Sequence, residues 1–335
     1  MPRNQANRLL LLAALLWGSG NVAQQTILES IGPFLAVGLR CMIAGLVITP
    51  FLFVTGKGGK VFEIASRKLG VLTVLSFVMA LTFQQIGFGY TTVTNGGFIV
   101  NTTTVITPFI GWLLLMRQPA LIVWLAGLLS LAGTGLMSGG SLQGFNFGDL
   151  LCLASAVCFS FWMVFLGEFV RRHGNAMRLT LVQFFVSGLV CLTISYVVEP
   201  ISLRDIKGAL PELIVLGVLS TGVAYMLQSI AQRYTSANEA AIITSGEAFF
   251  GAMAAFILLG ETPSVVSGLG AILIFGGVLL VQIPDRRFFA LNSRWPVRYQ
   301  LDLARHEREI VDWETFAVFD LKSLPLQEKV MTNYC

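Results

Sequence analysis

Residues 84–95 read QQIGFGYTTVTN, and residues 228–239 read QSIAQRYTSANE. The pattern Gln-x-Ile-x-x-x-Tyr-Thr therefore recurs at an offset of 144 residues. The first copy begins at the end of the third of ten long apolar runs in the chain, and the second copy begins at the end of the eighth. These two places are equivalent if the chain consists of two halves with five runs each. The repeat therefore predicts two related halves, 1–143 and 144–283, followed by a tail, 284–335.

The ten apolar runs each have about the 20 residues that a helix needs to cross a bilayer. They cover residues 9–28, 34–54, 69–89, 93–116, 119–138, 148–168, 178–198, 210–231, 237–259 and 265–283. Because backbone groups in lipid must be bonded within their own segment, runs of this length predict helices rather than strands. The predicted fold class is thus all-α integral membrane, with ten transmembrane helices.

Five helices per half have a topological consequence. An odd number of spans makes the two halves enter the membrane from opposite sides, so that they form inverted five-helix repeats. Inverted repeats are typical of secondary transporters that work by alternating access, with the substrate held near the membrane midplane.

The composition agrees with a membrane protein. Of 335 residues, 55% are hydrophobic and 12% are charged, whereas a soluble domain has about 25% charged residues. Such a chain has too little charge to cover a water-facing surface. Its net charge of +4 comes from short loops between apolar runs, so no nucleic-acid partner is expected and membrane lipid is.

The distribution of Lys and Arg predicts the orientation in the membrane. With the N-terminus in the cytoplasm, the inside segments hold thirteen of these residues, whereas the outside loops hold only Arg204 and Lys207. The positive-inside rule therefore places both termini in the cytoplasm. The tail contains Trp295 and Trp313 and is expected to lie partly on the membrane surface, with a regulatory or partner-binding role left open.

The sequence offers no arrangement typical of a cofactor or of catalysis. Residues 18–23 match the dinucleotide fingerprint G-x-G-x-x-A, but they lie within a run and lack the acidic residue about 20 positions further on. The two histidines, His173 and His306, lie outside the runs, and the five cysteines have no paired spacing. We therefore expect a protein that is not an enzyme and holds no cofactor or metal.

Two ionisable residues lie deep within predicted helices, where such groups usually mark a transport pathway. Glu247 is near the centre of the ninth run, and it is expected either to bind a substrate amine or a proton, or to be a structural carboxyl. Arg40 lies about two turns from the outer end of the second run. It is a candidate for holding a substrate carboxylate, for pairing with an acid, or for extending outward to the interface.

Uncharged polar residues complete the candidate site. In the fourth run, Pro108 is expected to kink the helix or act as a hinge, because proline removes a helical hydrogen bond. Hydrogen bonds between helices are the alternative role for each polar residue. The candidate substrate-binding residues are Trp17, Asn21, Gln84, Asn101, Thr104, Tyr225, Gln228 and Glu247.

Several motifs resemble the EamA-type carriers of the drug/metabolite transporter superfamily. They are Leu15–Ser19 (LLWGS), Pro33 with Arg40, residues 231–241 (AQRYTSANEAA) and Gly260-Glu261. The resemblance covers residues 8–283. It implies a ten-helix inverted-repeat bundle in a bacterial or plastid-type inner membrane, often exporting amino acids or related metabolites.

The chain departs from that family pattern at three places. The family often has Glu-Pro in its ninth helix, where this chain has Glu247-Ala248, and the usual Gly-Glu of the first half is Arg117-Gln118 here. The tail is also longer than the family's norm. These departures concern gating and the tail rather than the architecture.

The favoured hypothesis is a secondary transporter of small polar metabolites, such as an amino-acid exporter, working as a monomer or homodimer with the proton as a possible coupling ion. A multidrug or lipophilic-cation carrier is an alternative, since Phe249 and Phe250 follow Glu247. A membrane scaffold or sensor that acts through the tail is another. The sequence leaves open the substrate, the direction of transport and the coupling ion.

Overall fold

The computed structural model describes residues 1–54, 67–116, 118–137, 146–259 and 264–283. Within these ranges, the side chains of residues 21, 22, 25, 52–54, 93, 94 and 255–259 are not described. The predictions made for the Asn21 side chain, Arg117, Gly260-Glu261 and the tail 284–335 therefore lie outside the described residues.

The described chain is a bundle of helices. They are α1 (Arg3–Thr26), α2 (Pro33–Val54), α3 (Lys68–Phe88), α4 (Val93–Val100), α5 (Thr103–Leu115), α6 (Leu121–Met137), α7 (Phe147–His173), α8 (Ala176–Val198), α9 (Leu203–Gly208), α10 (Leu210–Ile214), α11 (Ala224–Ala231), α12 (Ala237–Thr244), α13 (Glu247–Leu259) and α14 (Val265–Gln282). A 3₁₀ turn, Ile27–Glu29, follows α1, and a π-helix, Val215–Val223, joins α10 to α11.

The helices correspond to the predicted spans. Seven segments in the described part of the chain are long and apolar enough to cross a membrane, and α6 is a shorter apolar helix. The two other predicted spans are α1 and the pair α12–α13, which is interrupted in its middle. The predicted all-α membrane fold with about ten spans is confirmed.

The longest of these helices, α7, has a defined cap at each end. The Asn146 side chain accepts a hydrogen bond from the backbone N–H of Asp149, and the Asp149 carboxylate accepts one from the backbone N–H of Asn146, both at 3.0 Å. This reciprocal capping box satisfies amide groups that have no partner within the helix. At the other end, Gly174 takes the left-handed conformation, with φ of +66°, that commonly terminates a helix.

The internal repeat is visible in the backbone. The hydroxyl groups of Thr92 and Ser236, which are 144 residues apart, each accept a hydrogen bond of 3.2 Å from the backbone N–H three residues later. These two caps begin α4 and α12. Both helices are then interrupted at equivalent positions, at residues 101–102 and 245–246.

Each half packs its first helix against helices of the other half. The first helix of each half, α1 or α7, packs against the third and fourth spans of the other half. The two second helices, α2 and α8, pack against each other, and so do the two fifth helices, α6 and α14. This pattern of contacts stays the same when the two halves are interchanged, as expected for two equivalent halves. It agrees with the predicted inverted repeat.

Small residues allow the closest of these contacts. A Cβ atom added to Gly133 in α6 would lie 2.5 Å from the carbonyl oxygen of Gly270 in α14, and the converse distance is also 2.5 Å. Close backbone approach of this kind is how membrane helices associate, since lipid supplies no hydrophobic driving force between them.

Candidate functional site

A cavity lies between the halves at the level of the two helix interruptions. It contains about 600 Å³ of space free of protein atoms, a volume that includes the open solvent at its mouth. Its lining residues are Trp17, Gln24, Arg40, Gln84, Val100, Asn101, Thr103, Phe159, Trp162, Met163, Ser220, Tyr225, Gln228, Thr244, Ser245 and Glu247.

The interrupted helices contribute matching residues to the cavity. At an offset of 144 residues, the matching pairs are Val100 with Thr244, Asn101 with Ser245, and Thr103 with Glu247. Interrupted helices at the midplane are a recurring feature of substrate sites in transporters. The repeat thus places two equivalent pieces of backbone on opposite sides of one cavity.

Two side chains of opposite charge line the cavity. Arg40 is 2% exposed, and its Nε and Nη2 atoms have no hydrogen-bond partner. Glu247 begins α13, and it forms no ion pair with any residue that the structure describes. A buried charge without a partner is destabilising, so Arg40 is suited to bind a charged solute group. Glu247 is only partly buried, and its carboxylate is accessible from the cavity that it lines.

An aromatic cluster separates these charges from the rest of the bundle. The ring of Tyr225 lies 4.8 Å from that of Trp17, 4.9 Å from that of Phe77 and 5.4 Å from that of Trp162, measured between centroids. Tyr225 lines the same cavity as Arg40 and Glu247.

The π-helix holds one of these rings in place. The indole Nε1 of Trp17 donates a hydrogen bond of 2.8 Å to the backbone oxygen of Ser220, which lies in the π-helix. Single turns of π-helix are frequent at functional sites because they change the direction of the helix surface locally. The equivalent helix of the first half, α3, is a regular α-helix.

The cavity brings together most of the predicted site residues. Those that line it are Trp17, Arg40, Gln84, Asn101, Tyr225, Gln228 and Glu247. Thr104 does not line it, because its hydroxyl donates to the backbone oxygens of Asn101 and Gly127 and so joins α5 to α6. The side chain of Asn21 is outside the described part.

Several residues that line the cavity were not predicted from the sequence. Phe159, Trp162 and Met163 lie on α7, the first helix of the second half. Adding the repeat offset of 144 to Trp17 gives position 161, so the repeat could have indicated this segment. The same arithmetic would have found Ser245 from Asn101.

Gly18 explains part of the LLWGS motif. A Cβ atom at this position would lie 2.5 Å from the backbone oxygen of Glu247 and 2.7 Å from the backbone nitrogen of Gly251. Only glycine lets α1 approach α13 so closely. The glycine of the apparent dinucleotide fingerprint is thus a helix-packing residue beside the cavity.

Two other predicted features lie away from the cavity. Helix α5 runs from Thr103 through Pro108 without a break, and the interruption of this span is at residues 101–102 instead. The ring of Phe249 packs 4.6 Å from that of Phe275 in α14, and neither residue is among those lining the described cavity.

Within the described residues, no three His, Cys, Asp or Glu side chains are grouped as a metal site would require. The described cysteines are free thiols on three helices: Cys41, Cys152, Cys158 and Cys191. We expect a solute to be the partner of the polar groups in the cavity.

Comparison with known proteins agrees with this arrangement. The chain is 32% identical over 284 residues to an uncharacterized transporter of Archaeoglobus fulgidus, covering 84% of this chain and 87% of that protein. It is 27% identical to the uncharacterized inner membrane transporter YicL of Salmonella typhimurium, over 83% of this chain and 95% of that one.

A solved crystal structure has the same fold, with a TM-score of 0.72 at 17% sequence identity, over 85% of this chain and 99% of the other. The model of the EamA-like transporter family matches residues 6–139 and again residues 146–283. The two matches cover most of the chain and follow the two halves seen in the structure. The chain is therefore a multi-pass membrane transporter that belongs to the EamA-like transporter family.

Proposed function

We propose that this protein is a secondary carrier that moves a small amphoteric solute, of the amino-acid type, across the cytoplasmic membrane by alternating access. The observation that carries the proposal is the pair Arg40 and Glu247. These groups of opposite charge line one cavity, which lies between the halves at the level of the two helix interruptions. Neither group has an ion-pair partner in the described residues.

The chemistry of the two groups indicates the solute. A guanidinium group presents several N–H donors in a fixed plane and suits a carboxylate. A carboxylate such as that of Glu247 suits an ammonium group, and it can exchange a proton in place of that group. A solute with both charges would satisfy both side chains, whereas a singly charged solute would leave one of them unpaired.

Alternating access requires that the cavity opens to one side at a time, and two loop contacts are placed to control this. The Thr91 hydroxyl donates to the Asp149 carboxylate at 2.6 Å, joining the loop after α3 to the start of α7. Arg3 pairs with Glu239 at 2.9 Å, joining the start of α1 to the start of α12. By the proposed topology these contacts are on opposite faces of the membrane.

The remaining features of the proposal come from the sequence. Both termini are proposed to be cytoplasmic, and the halves are proposed to be residues 1–143 and 144–283, with residues 284–335 as a cytoplasmic tail. Glu247 is proposed as the group that couples transport to the proton. Pro108, which is buried within α5, is proposed to let that helix bend during the cycle.

The proposal is tested by counterflow in proteoliposomes with labelled amino acids, sugars and amines. We expect uptake of at least one amino acid, and we expect Glu247→Gln to abolish that uptake or its dependence on a pH gradient. Glu29→Gln neutralises an exposed acid outside the cavity and serves as the matched control. Unchanged, pH-independent uptake by Glu247→Gln would remove Glu247 from the mechanism, and uptake of amines alone would favour a cation carrier.

A further inference from the structure

Gln228 has the least satisfied side chain of the polar residues around the cavity. It is fully buried, it lines the cavity, and neither its Nε2 nor its Oε1 atom has a hydrogen-bond partner. A primary amide carries two N–H donors and a carbonyl acceptor. Leaving both atoms without partners inside the protein is destabilising, and such groups call for an explanation.

Other buried glutamines in the described part of the chain show that the bundle can supply partners. Gln85 donates from Nε2 to the backbone oxygen of Gln24, and Gln232 donates from Nε2 to that of Met163. The Oε1 atom of Gln183 accepts from the indole of Trp162. Each of these side chains uses one of its two polar atoms, whereas Gln228 uses neither.

The neighbouring polar groups already have partners. The Asn101 amide donates to the Thr134 hydroxyl at 2.6 Å, and the Ser245 hydroxyl donates to the backbone oxygen of Ile242 at 2.6 Å. The indole of Trp17 donates to the backbone of Ser220. Among the lining residues, the fully buried donors without a partner are those of Arg40, Gln24 and Gln228 itself.

We propose that Gln228 is a specificity-determining residue, which pairs with a neutral group of the solute that both donates and accepts hydrogen bonds. This inference rests on the proposed function, because it assigns Arg40 and Glu247 to the charged groups of the solute. A carboxamide or a hydroxyl group has the required chemistry. The carrier therefore favours amphoteric solutes with such a side group over apolar solutes of the same size.

The physical reason is the penalty for an unpaired amide. When an apolar solute fills the cavity, it excludes water and leaves both atoms of Gln228 unsatisfied. Sites that hydrogen-bond a polar substrate group reject analogues lacking it far more strongly than apolar pockets reject a missing methylene. A buried amide without a protein partner is thus more selective than one that is already bonded.

The test compares labelled L-glutamine with labelled L-methionine, which has a similar length but lacks the amide, in counterflow by the full-length protein. We expect the wild-type protein to favour glutamine by about tenfold or more. Gln228→Met should bring this ratio close to one. Gln232→Met, four residues further on at the C-cap of the same helix and outside the cavity lining, should leave the ratio unchanged.

Thermal stability gives an independent result. Because Gln228→Met removes an unsatisfied amide, it should raise the Tm of the empty carrier, whereas Gln232→Met removes a bonded amide and should lower it. Equal transport of both amino acids by the wild type, or an unchanged ratio in Gln228→Met, would overturn the inference while leaving the carrier function intact. If no amino acid of the panel is transported, the proposed function fails as well.

Discussion

At the scale of single residues, equivalent positions of the two halves carry different charges. Position 103 carries threonine where the equivalent position 247 carries glutamate, and position 184 carries phenylalanine where position 40 carries arginine. Phe184 is buried against Phe77, whereas Arg40 lines the cavity. The repeat therefore provides a symmetric frame, and the substitutions on it favour a single orientation of a bound solute.

Gly18 affects both the packing of α1 against α13 and the position of Glu247 at the cavity. Gly18→Ala should destabilise the protein by about 1–3 kcal/mol, since an added methyl group would overlap the backbone of α13 and a packed interior does not adapt freely. It should also lower transport, because the overlapping atom belongs to Glu247. Thermal unfolding in detergent and counterflow in proteoliposomes measure the two effects.

The control for this prediction is Gly276→Ala. Gly276 lies in α14 with no atom within 4 Å of the added methyl group, so the change should not destabilise the protein. If Gly18→Ala were as stable and active as Gly276→Ala, the close approach of α1 to α13 would not be needed.

The candidate site shows which residues sequence can identify. Glu247 and Arg40 were found because charges are rare at membrane depth, and both line the cavity. Thr104 was included because it lies one turn from Asn101, but whether a threonine bonds its own helix or faces a cavity depends on helix rotation. Phe159 and Trp162 were missed because aromatic residues within an apolar run look the same whether they face lipid, a helix or a site.

At the scale of helices, the interruptions were less predictable than the spans. Lengths and hydrophobicity predicted the runs, since each span must satisfy its own backbone in lipid. Proline suggested a kink at Pro108, yet the structure has its break at residues 101–102, beside a run of polar side chains. The equivalent break, at Ser245-Gly246, contains no proline, so proline does not mark these two interruptions, and the hinge at Pro108 stays a prediction.

The two loop contacts also differ in strength, although they join corresponding elements of the two halves. The contact on the N-terminal side combines the ion pair of Arg3 and Glu239 with a bond from Thr235 to Glu239 at 2.6 Å and one from Arg3 to the backbone oxygen of Val281 at 3.1 Å. It therefore joins the start of α1, the start of α12 and the end of α14. The opposite contact joins two elements through Thr91.

We expect Glu239→Gln to favour opening of the cavity on the N-terminal side. Partly exposed ion pairs contribute about 0.5–1 kcal/mol, which corresponds to a shift of about two- to fivefold between open and closed states. Asn7 is buried one turn from Arg3, so Asn7→Cys in a background with the five native cysteines replaced by serine reports the opening. The rate of thiol labelling from the proposed cytoplasmic side should rise by that factor.

Reversing the pair provides the control for this experiment. The double variant Arg3→Glu with Glu239→Arg restores an ion pair of opposite polarity and should return the labelling rate towards that of the wild type. Labelling that is equally slow in all three proteins would show that the contact does not limit access from this side.

At the scale of the whole molecule, two groups of helices have different roles. In one group, equivalent helices of the two halves pack against each other, and in the other group, a helix of one half packs against different spans of the other half. Helices α6 and α14 pack through Gly133 and Gly270 with backbone contact along their faces, and α2 packs against α8. Helices α1 and α7 instead reach across to the spans that form the cavity. Since packed interfaces resist deformation, movement of the halves is expected to change the contacts of α1 and α7 and their loops more than those of α6 and α14.

This difference predicts the effect of covalent cross-links. With Thr91→Cys and Asp149→Cys, a short bismaleimide should hold the loop after α3 against α7 and close one side of the cavity. With Arg3→Cys and Glu239→Cys, it should close the other. Because alternating access requires each contact to open once per cycle, either cross-link should reduce counterflow to the level of empty liposomes. Variants with only one of the two introduced cysteines, made like the pairs in a background without the five native cysteines and treated in the same way, should retain their activity. A cross-linked carrier that still exchanged solute would show that the contact stays closed throughout the cycle, and the halves would then have to move about another part of the bundle.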